Sequence, residues 1–390
     1  MNNIYIFTSA ISRKNGGNSS IVDLANGMVE LNYKVNVFTY FGFMDKYIYK
    51  PTAVSNKLKI KVLKNKIYKL KNPPIKKYLL NKILNLLYIF DNMSLKNSII
   101  IDAIGLPDKV IQDLKSNNCK IIFNHAGSCD AMIKYFGTNG VKKNNLDKSK
   151  QEYLEMINCY DYILFQSLSQ AKELFKLAKW KKNKTIVLRP SVSMKDIDNI
   201  KNKNCIFDEN IFNVVIVGSV QERKGQHLLP KIYKILDESV KNIKFHIVGN
   251  IVNYDYKDKI EKEITKFGQN GKIIFHGFKS NYLEYISNAD IILQVSEEEG
   301  VSRILREAMC LKKMIISFRL NGTNDLLEDG KDCLLSDYND LESIANNILK
   351  VYNDRDLLST YALKAFENFE KKYSKKEYLK QLKNIIKELN

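Results

Sequence analysis

Short apolar runs rich in β-branched residues recur along this chain, and each pair is separated by enough residues for one helix. Residues 290–295 (DIILQV) and 314–318 (MIISF) read as buried strands, as do 213–217 and 272–274. Between the first two lies a helix whose Ile304, Leu305, Ala308, Met309 and Leu311 fall on one face, the face that would pack on a sheet. The N-terminal half repeats the alternation: strand 4–7, a helix opened by Gly16-Gly17 and running to about Leu31, then strand 35–39. Further strands read at 98–102, 120–124, 162–166 and 185–188, with amphipathic stretches between them. A β-α-β order of this kind implies an α/β fold built on parallel sheets. At 390 residues the chain is long enough for two or three domains, each with a sizeable core. Arg189-Pro190-Ser191-Val192 ends the last N-terminal strand, and the polar run to Asn204 lacks hydrophobic periodicity. The division read from this is a domain at 1–190, a linker at 191–204, a second domain at 205–370 and a terminal helix at 371–390.

The stretch 297–311, EEEGVSRILREAMCL, carries the most chemistry. Ser302 is the natural N-cap of its helix, so the backbone N–H groups of Gly300 to Arg303 lack intrahelical partners and the helix dipole favours an anion there. A diphosphate fits such a site. Glu299 lies in the turn beside it, and Glu307, about two helical turns along, points away from the sheet-facing stripe. The alternative is a solvated helix face on which Glu307 pairs with Arg303 at i,i+4.

A second motif follows the strand 213–217: Gly218-Ser219-Val220-Gln221-Glu222-Arg223-Lys224-Gly225. Arg223 and Lys224 then stand at the C-terminal end of a strand, where open α/β sheets bind ligands, and their charge suits a departing diphosphate. Taken alone, the same residues describe a surface turn with two solvated cations. Arginine is scarce, with 7 among 62 basic residues, yet Arg223, Arg303, Arg306 and Arg319 fall in or beside these loops. The loop 319–325 (RLNGTND) adds Asn321, Gly322 and Thr323, whose backbone N–H groups could serve donor oxygens.

Glu299-Gly300 followed by Glu307-Ala308-Met309 resembles the signature of family 4 glycosyltransferases, retaining enzymes of the GT-B fold. The resemblance implies two Rossmann-like doubly wound domains facing each other across a cleft, with the nucleotide sugar held by the C-terminal one. It places Glu307 on the nucleotide ribose, and Glu299, Gly300, Val301 and Ser302 against the sugar and diphosphate. Gly218, Ser219, Arg223 and Lys224 then meet the phosphates; the family often has Arg directly after the first glycine, where this chain has Ser219, so Arg223 is the substitute. Phe278, in Phe275-His276-Gly277-Phe278, lies near the base. Gly17 borders the cleft and contacts donor phosphate or acceptor. His125, at the rim of the N-terminal sheet, matches a family histidine that donates to a sugar hydroxyl or a developing charge. The catalytic set is therefore His125, Glu299, Arg223 and Lys224, and the terminal helix returns to the first domain. The implied activity is a hexosyltransferase-type transfer (EC 2.4) from a UDP-linked hexose or N-acetylhexosamine to a glycan hydroxyl, with no cofactor and no metal. An epimerase or hydrolase of the same fold is the alternative within this architecture.

A formal charge of +19 asks for a partner. The segment from Lys57 to Lys82 contains ten lysines and no acid, followed by the apolar run 83–90 (ILNLLYIF), a pattern suited to an anionic membrane surface. That points to a lipid-linked oligosaccharide acceptor in cell-surface polysaccharide or lipopolysaccharide synthesis. A basic peripheral membrane protein without catalysis, or lysine as a compositionally cheap surface residue, are the competing readings. No nucleic-acid-binding motif accompanies the charge, so nucleic acid is not expected as a partner. Cys119, Cys129, Cys159, Cys205, Cys310 and Cys333 show no paired spacing and read as reduced thiols. With no signal-peptide pattern in MNNIYIFTSAIS and no stretch of 18 apolar residues, a cytoplasmic location is expected, peripheral on the inner face of the membrane.

Overall fold

A computed structural model describes residues 3–10, 16–41, 59–62, 95–106, 108–125, 127, 132–133, 146–177, 184–192, 197–198, 200, 206–236 and 239–389. The chain forms two compact units, Met1–Pro190 with Tyr378–Asn390, and Ser191–Glu377.

The first unit holds β1 (Asn3–Ala10), β2 (Lys34–Phe41), β3 (Lys59–Val62), β4 (Ile99–Asp102), β5 (Lys120–His125), β6 (Tyr162–Phe165) and β7 (Thr185–Val187). They pair in parallel in the order β3-β2-β1-β4-β5-β6-β7. Because successive side chains leave opposite faces of a strand, each strand feeds two cores. Tyr5, Phe7, Ile100, Phe123 and Phe165 meet one layer of helices, while Ile4, Ile6, Ile99, Ile101 and Leu164 meet the other. That second layer contains the helices Gly16–Glu30 and Lys375–Leu389, the latter through Tyr378, Leu382 and Ile386.

The second unit repeats the plan with β8 (Phe212–Val217), β9 (Ile243–Val248), β10 (Ile273–Gly277), β11 (Ile291–Gln294), β12 (Met314–Phe318) and β13 (Leu334–Ser336), in the order β10-β9-β8-β11-β12-β13. All pairings are parallel. Phe212, Val214 and Ile216 pack on one face, and Val215 and Val217 on the other, so helices cover both. Strand order reverses between β8 and β11, which makes the crevice beyond their C-terminal ends the ligand position of such sheets. Val192 and Ile197, within the stretch read as a linker, are buried in this unit's core.

The terminal helix read at 371–390 is interrupted near its start. One helix ends at Lys372 and the next begins at Lys375. Tyr373 is buried in the second unit, where its hydroxyl donates to the Asp325 carbonyl, and the Ser374 hydroxyl accepts from the Glu377 N–H as a new cap. The segment 57–82 is described only over β3, and 83–90 lies outside the described residues. Among the described residues no helix is long and apolar enough to cross a membrane. Cys119, Cys159, Cys310 and Cys333 form no disulfide, whereas Cys129 and Cys205 lie outside the described residues.

Polar groups buried in the second sheet are chained together. Asn213 donates through Nδ2 to the Asp208 and Ile211 carbonyls, so its Oδ1 accepts from His246 Nε2, 3.0 Å away. The other His246 nitrogen, Nδ1, is then the acceptor facing His276 Nε2 at 2.9 Å. Phe207 stacks on the His246 ring at 4.2 Å. His246 is thus held neutral: burial, with His276 and Lys244 adding to it, pushes its pKa from 6.5 down to about 4.

Two expectations follow from this packing. A Cβ at Gly27 would lie 2.9 Å from Tyr378 Cε1 and 3.0 Å from Leu382 Cδ2, so Gly27→Leu should overpack the seat of the last helix. A loss of roughly 1–3 kcal/mol in urea unfolding is expected. For His246, the unfolded imidazole takes up its proton near 6.5 and the folded one only near 4. Stability is therefore complete above that window and falls as pH drops through it, by at most about 1.4 kcal/mol per pH unit for one group. Urea midpoints measured from pH 7 to 4 should show this fall, with a shallower slope in His246→Gln.

Candidate functional site

Four loops at the C-terminal edge of the second sheet build the candidate site, and three of them touch through backbone. Gly225 closes the loop after β8 at φ 70°, and a Cβ there would sit 1.9 Å from the Val295 carbonyl oxygen. Only glycine accepts both that conformation and that approach. The Glu297 N–H donates to the Arg223 carbonyl at 3.0 Å, tying the loop after β11 to the loop after β8. Beyond β12, Gly322 makes the same kind of approach, with its missing Cβ 1.8 Å from the Gly300 oxygen and 2.7 Å from that of Glu299.

Across this seam Lys224 Nζ pairs with Glu299 Oε1. Both side chains are mostly enclosed, at 17% and 12% exposure. The same carboxylate oxygen accepts from the Ser296 hydroxyl at 2.9 Å, and Ser296 is itself buried. The Lys224 stem lies over Gly218, with Cδ 3.6 Å from where a Cβ would stand. Arg223, its neighbour in sequence, is exposed. Ser219 accepts from Gln221 through Oγ and from Gln226 through its carbonyl.

Ser302 caps the helix Arg303–Cys310 by accepting from the Leu305 N–H, and its hydroxyl proton goes to Gln294 Oε1 at 2.7 Å. The hydroxyl is therefore committed inside the protein, which leaves the backbone amide of Ser302 for an anion. Val301 is buried in the core beneath. Glu307, read from sequence as pointing off the sheet-facing stripe, is only 1% exposed. Its Oε1 accepts from Tyr282 Oη at 2.8 Å and from Arg303 Nε at 2.7 Å. Its Oε2 is buried and has no hydrogen-bond partner among the described residues.

The remaining arginines of these loops have other duties. Arg306 is buried and donates from Nη1 to the Ser191 carbonyl at 2.6 Å. Arg319 pairs with Asp329 and Asp337, which raise its pKa. Phe278 follows Gly277 with its side chain 59% exposed.

Gly17 and His125 belong to the first unit. Gly17 lies in the first turn of the helix Gly16–Glu30, and residues 11–15 before it lie outside the described set. His125 ends β5, fully buried, with the Phe165 ring centroid 4.9 Å away and that of Tyr153 at 6.2 Å. Burial pushes its pKa down to about 4, so it is a neutral imidazole at neutral pH, not an exposed group on the rim. Ser296, Tyr282 and Gln294 were not singled out in the sequence. Their spacing carries no motif, and only the fold brings them to Glu299, Glu307 and Ser302.

Two Rossmann-like doubly wound units, the second with an anion-ready crevice at its switch point, define an α/β protein of the GT-B class. Residues 196–372, nearly all of the second unit, match the family model of the glycosyl transferases group 1. Among curated relatives, the poly(ribitol-phosphate) α-N-acetylglucosaminyltransferase of Staphylococcus aureus is 26% identical over 44% of this chain and 35% of its own length. The capsular polysaccharide biosynthesis glycosyltransferase CapM of the same species is 23% identical over 45% of each. The chain thus spans less than half the length of these two relatives. Among solved structures, the sucrose-phosphate synthase of Thermosynechococcus elongatus superposes with a TM-score of 0.79 at 15% identity, covering 100% of this chain and 99% of that one. Anabaena HepE in complex with UDP gives 0.73 at 16% identity, covering 100% and 99%. At such identities these likenesses establish the fold.

Proposed function

We propose that this protein is a retaining glycosyltransferase that moves a hexose or N-acetylhexosamine from a UDP-linked donor to a hydroxyl of a glycan acceptor. The observation that carries the reading is Glu307. One oxygen of its buried carboxylate is occupied by Tyr282 and Arg303 while the other has no donor among the described residues, in a helix whose N-terminus adjoins Glu299 and Gly300. A buried acceptor left unmade is costly, and a ribose hydroxyl would complete it. The UDP-bound and UDP-glucose-bound structures of HepE support the choice of nucleotide.

In this reading the diphosphate lies against Lys224 and the amides of Gly300 to Arg303, with exposed Arg223 closing over it. The bond from the anomeric carbon to the β-phosphate oxygen breaks, the acceptor oxygen bonds that carbon on the same face, and the acceptor proton passes to the departing phosphate oxygen. Charge developing on that oxygen is offset by Lys224 and the fixed amide dipoles, so the scheme draws on no metal. The names of the capsular and poly(ribitol-phosphate) relatives favour a cell-surface glycan acceptor, lipid-linked and reached from the inner face of the membrane.

Thermal-shift screening against UDP-, GDP-, ADP- and dTDP-sugars should give the largest rise in Tm with a UDP-sugar, by mass action on the folded state. Glu307→Ala should lower kcat/KM by about 10- to 100-fold, the worth of a hydrogen bond to a charged group. Lys224→Ala should lower it on the order of 100-fold or more. Unchanged turnover in both would reject the site. The lysines between Lys57 and Lys82 should carry the protein upward with phosphatidylglycerol vesicles in a flotation assay, and not with phosphatidylcholine alone.

A further inference from the structure

The carboxylate of Glu299 is an unexpected neighbour for a phosphate-binding lysine. Its Oε1 pairs with Lys224 Nζ, and the Ser296 hydroxyl locks that oxygen in place at 2.9 Å. Both charged side chains are more than four-fifths enclosed, so their mutual attraction, and the repulsion either exerts on a third charge, is poorly screened by water. The seam between Gly225 and Val295 fixes the two loops that carry them. Glu299 therefore cannot swing away when a phosphate arrives without also breaking its bond to buried Ser296.

The reaction changes the charge of the group that meets this pair. In a nucleotide sugar the β-phosphate is a diester with one negative charge. After transfer it is a terminal phosphate whose second ionisation falls near pH 6, as for other phosphate monoesters, so it carries close to two charges at neutral pH. A fixed carboxylate sharing the phosphate-binding ammonium disfavours the second charge more than the first.

We propose that Glu299, oriented by Ser296, discriminates the nucleotide sugar from the nucleoside diphosphate that remains after transfer, and so promotes product release. This rests on the glycosyl-transfer reading above and assigns a new duty within it. Glu299 acts on Lys224 as a counter-charge, and Ser296 is a positioning residue that touches no ligand.

The test compares UDP and UDP-glucose binding, by isothermal titration at pH 7.5, in the wild-type protein, Glu299→Gln and Ser296→Ala. Glutamine keeps the shape and the acceptor oxygen but removes the charge. The expected result is UDP binding at least about 10-fold tighter in Glu299→Gln, with a steeper salt dependence, while UDP-glucose binding gains less. Ser296→Ala should move the UDP to UDP-glucose ratio in the same direction by a smaller factor. A merely structural role for either residue would weaken both ligands together. If the wild-type protein binds UDP and Glu299→Gln binds it no more tightly, the proposal is overturned and the glycosyl-transfer reading stands. If the wild-type protein binds neither ligand, both fall. Ser296→Ala keeps the charge pair, so it decides the positioning role even if Glu299→Gln fails to fold.

Discussion

The candidate site depends on how closely the loops of the second sheet press together. At Gly225 the backbone of one loop rests against the Val295 carbonyl of the next, nearer than any side chain would allow. That contact sets where Lys224 and Glu299 start from, and the ion pair between them then closes the seam with charge. A buried pair of this kind is not chiefly a source of stability, since desolvation offsets most of the attraction. Its effect is on geometry: a lysine one residue before an immobile glycine, held by a carboxylate that is itself held by a serine, has little freedom left to lose when a ligand binds.

Glu307 is built differently. It sits inside the helix that Ser302 begins, and its two oxygens have unequal surroundings, one crowded with donors and one without. Ser302 shows a similar division of labour, its hydroxyl spent on Gln294 and Leu305 while its backbone begins the helix. Side chains in this site are largely occupied in holding one another, and much of what is left for a ligand is main chain together with single atoms of a few acids and bases.

Much of this was legible in the sequence. The parallel α/β plan followed from the alternation of apolar runs with amphipathic stretches, and Ser302 was visible as the cap of the helix that carries Glu307. What escaped had a physical reason in each case. β9 (IKFHIV) carries Lys244 and His246 within its span, because the imidazole is satisfied by Asn213 and His276 from other strands and so can lie inside the sheet. β13 has only three residues, too few to show a period. The break at Tyr373 and Ser374 was hidden because apolar residues continue at helical spacing on both sides, although they serve different cores. Ser296 and Tyr282 gave no signal at all, since their roles are defined by partners 3 and 25 residues away.

The return of the last helix bears on how the molecule comes to exist. Helix Lys375–Leu389 supplies Tyr378, Leu382, Ile386 and Leu389 to a core whose other buried members are drawn from residues before 190. As the chain leaves the ribosome, the first half waits with that apolar layer uncovered while the whole second unit is made. The second unit can close on its own local contacts, but the first is completed only by its most distant segment, a closure of high contact order. The N-terminal half is accordingly the part of this protein most exposed to aggregation during synthesis.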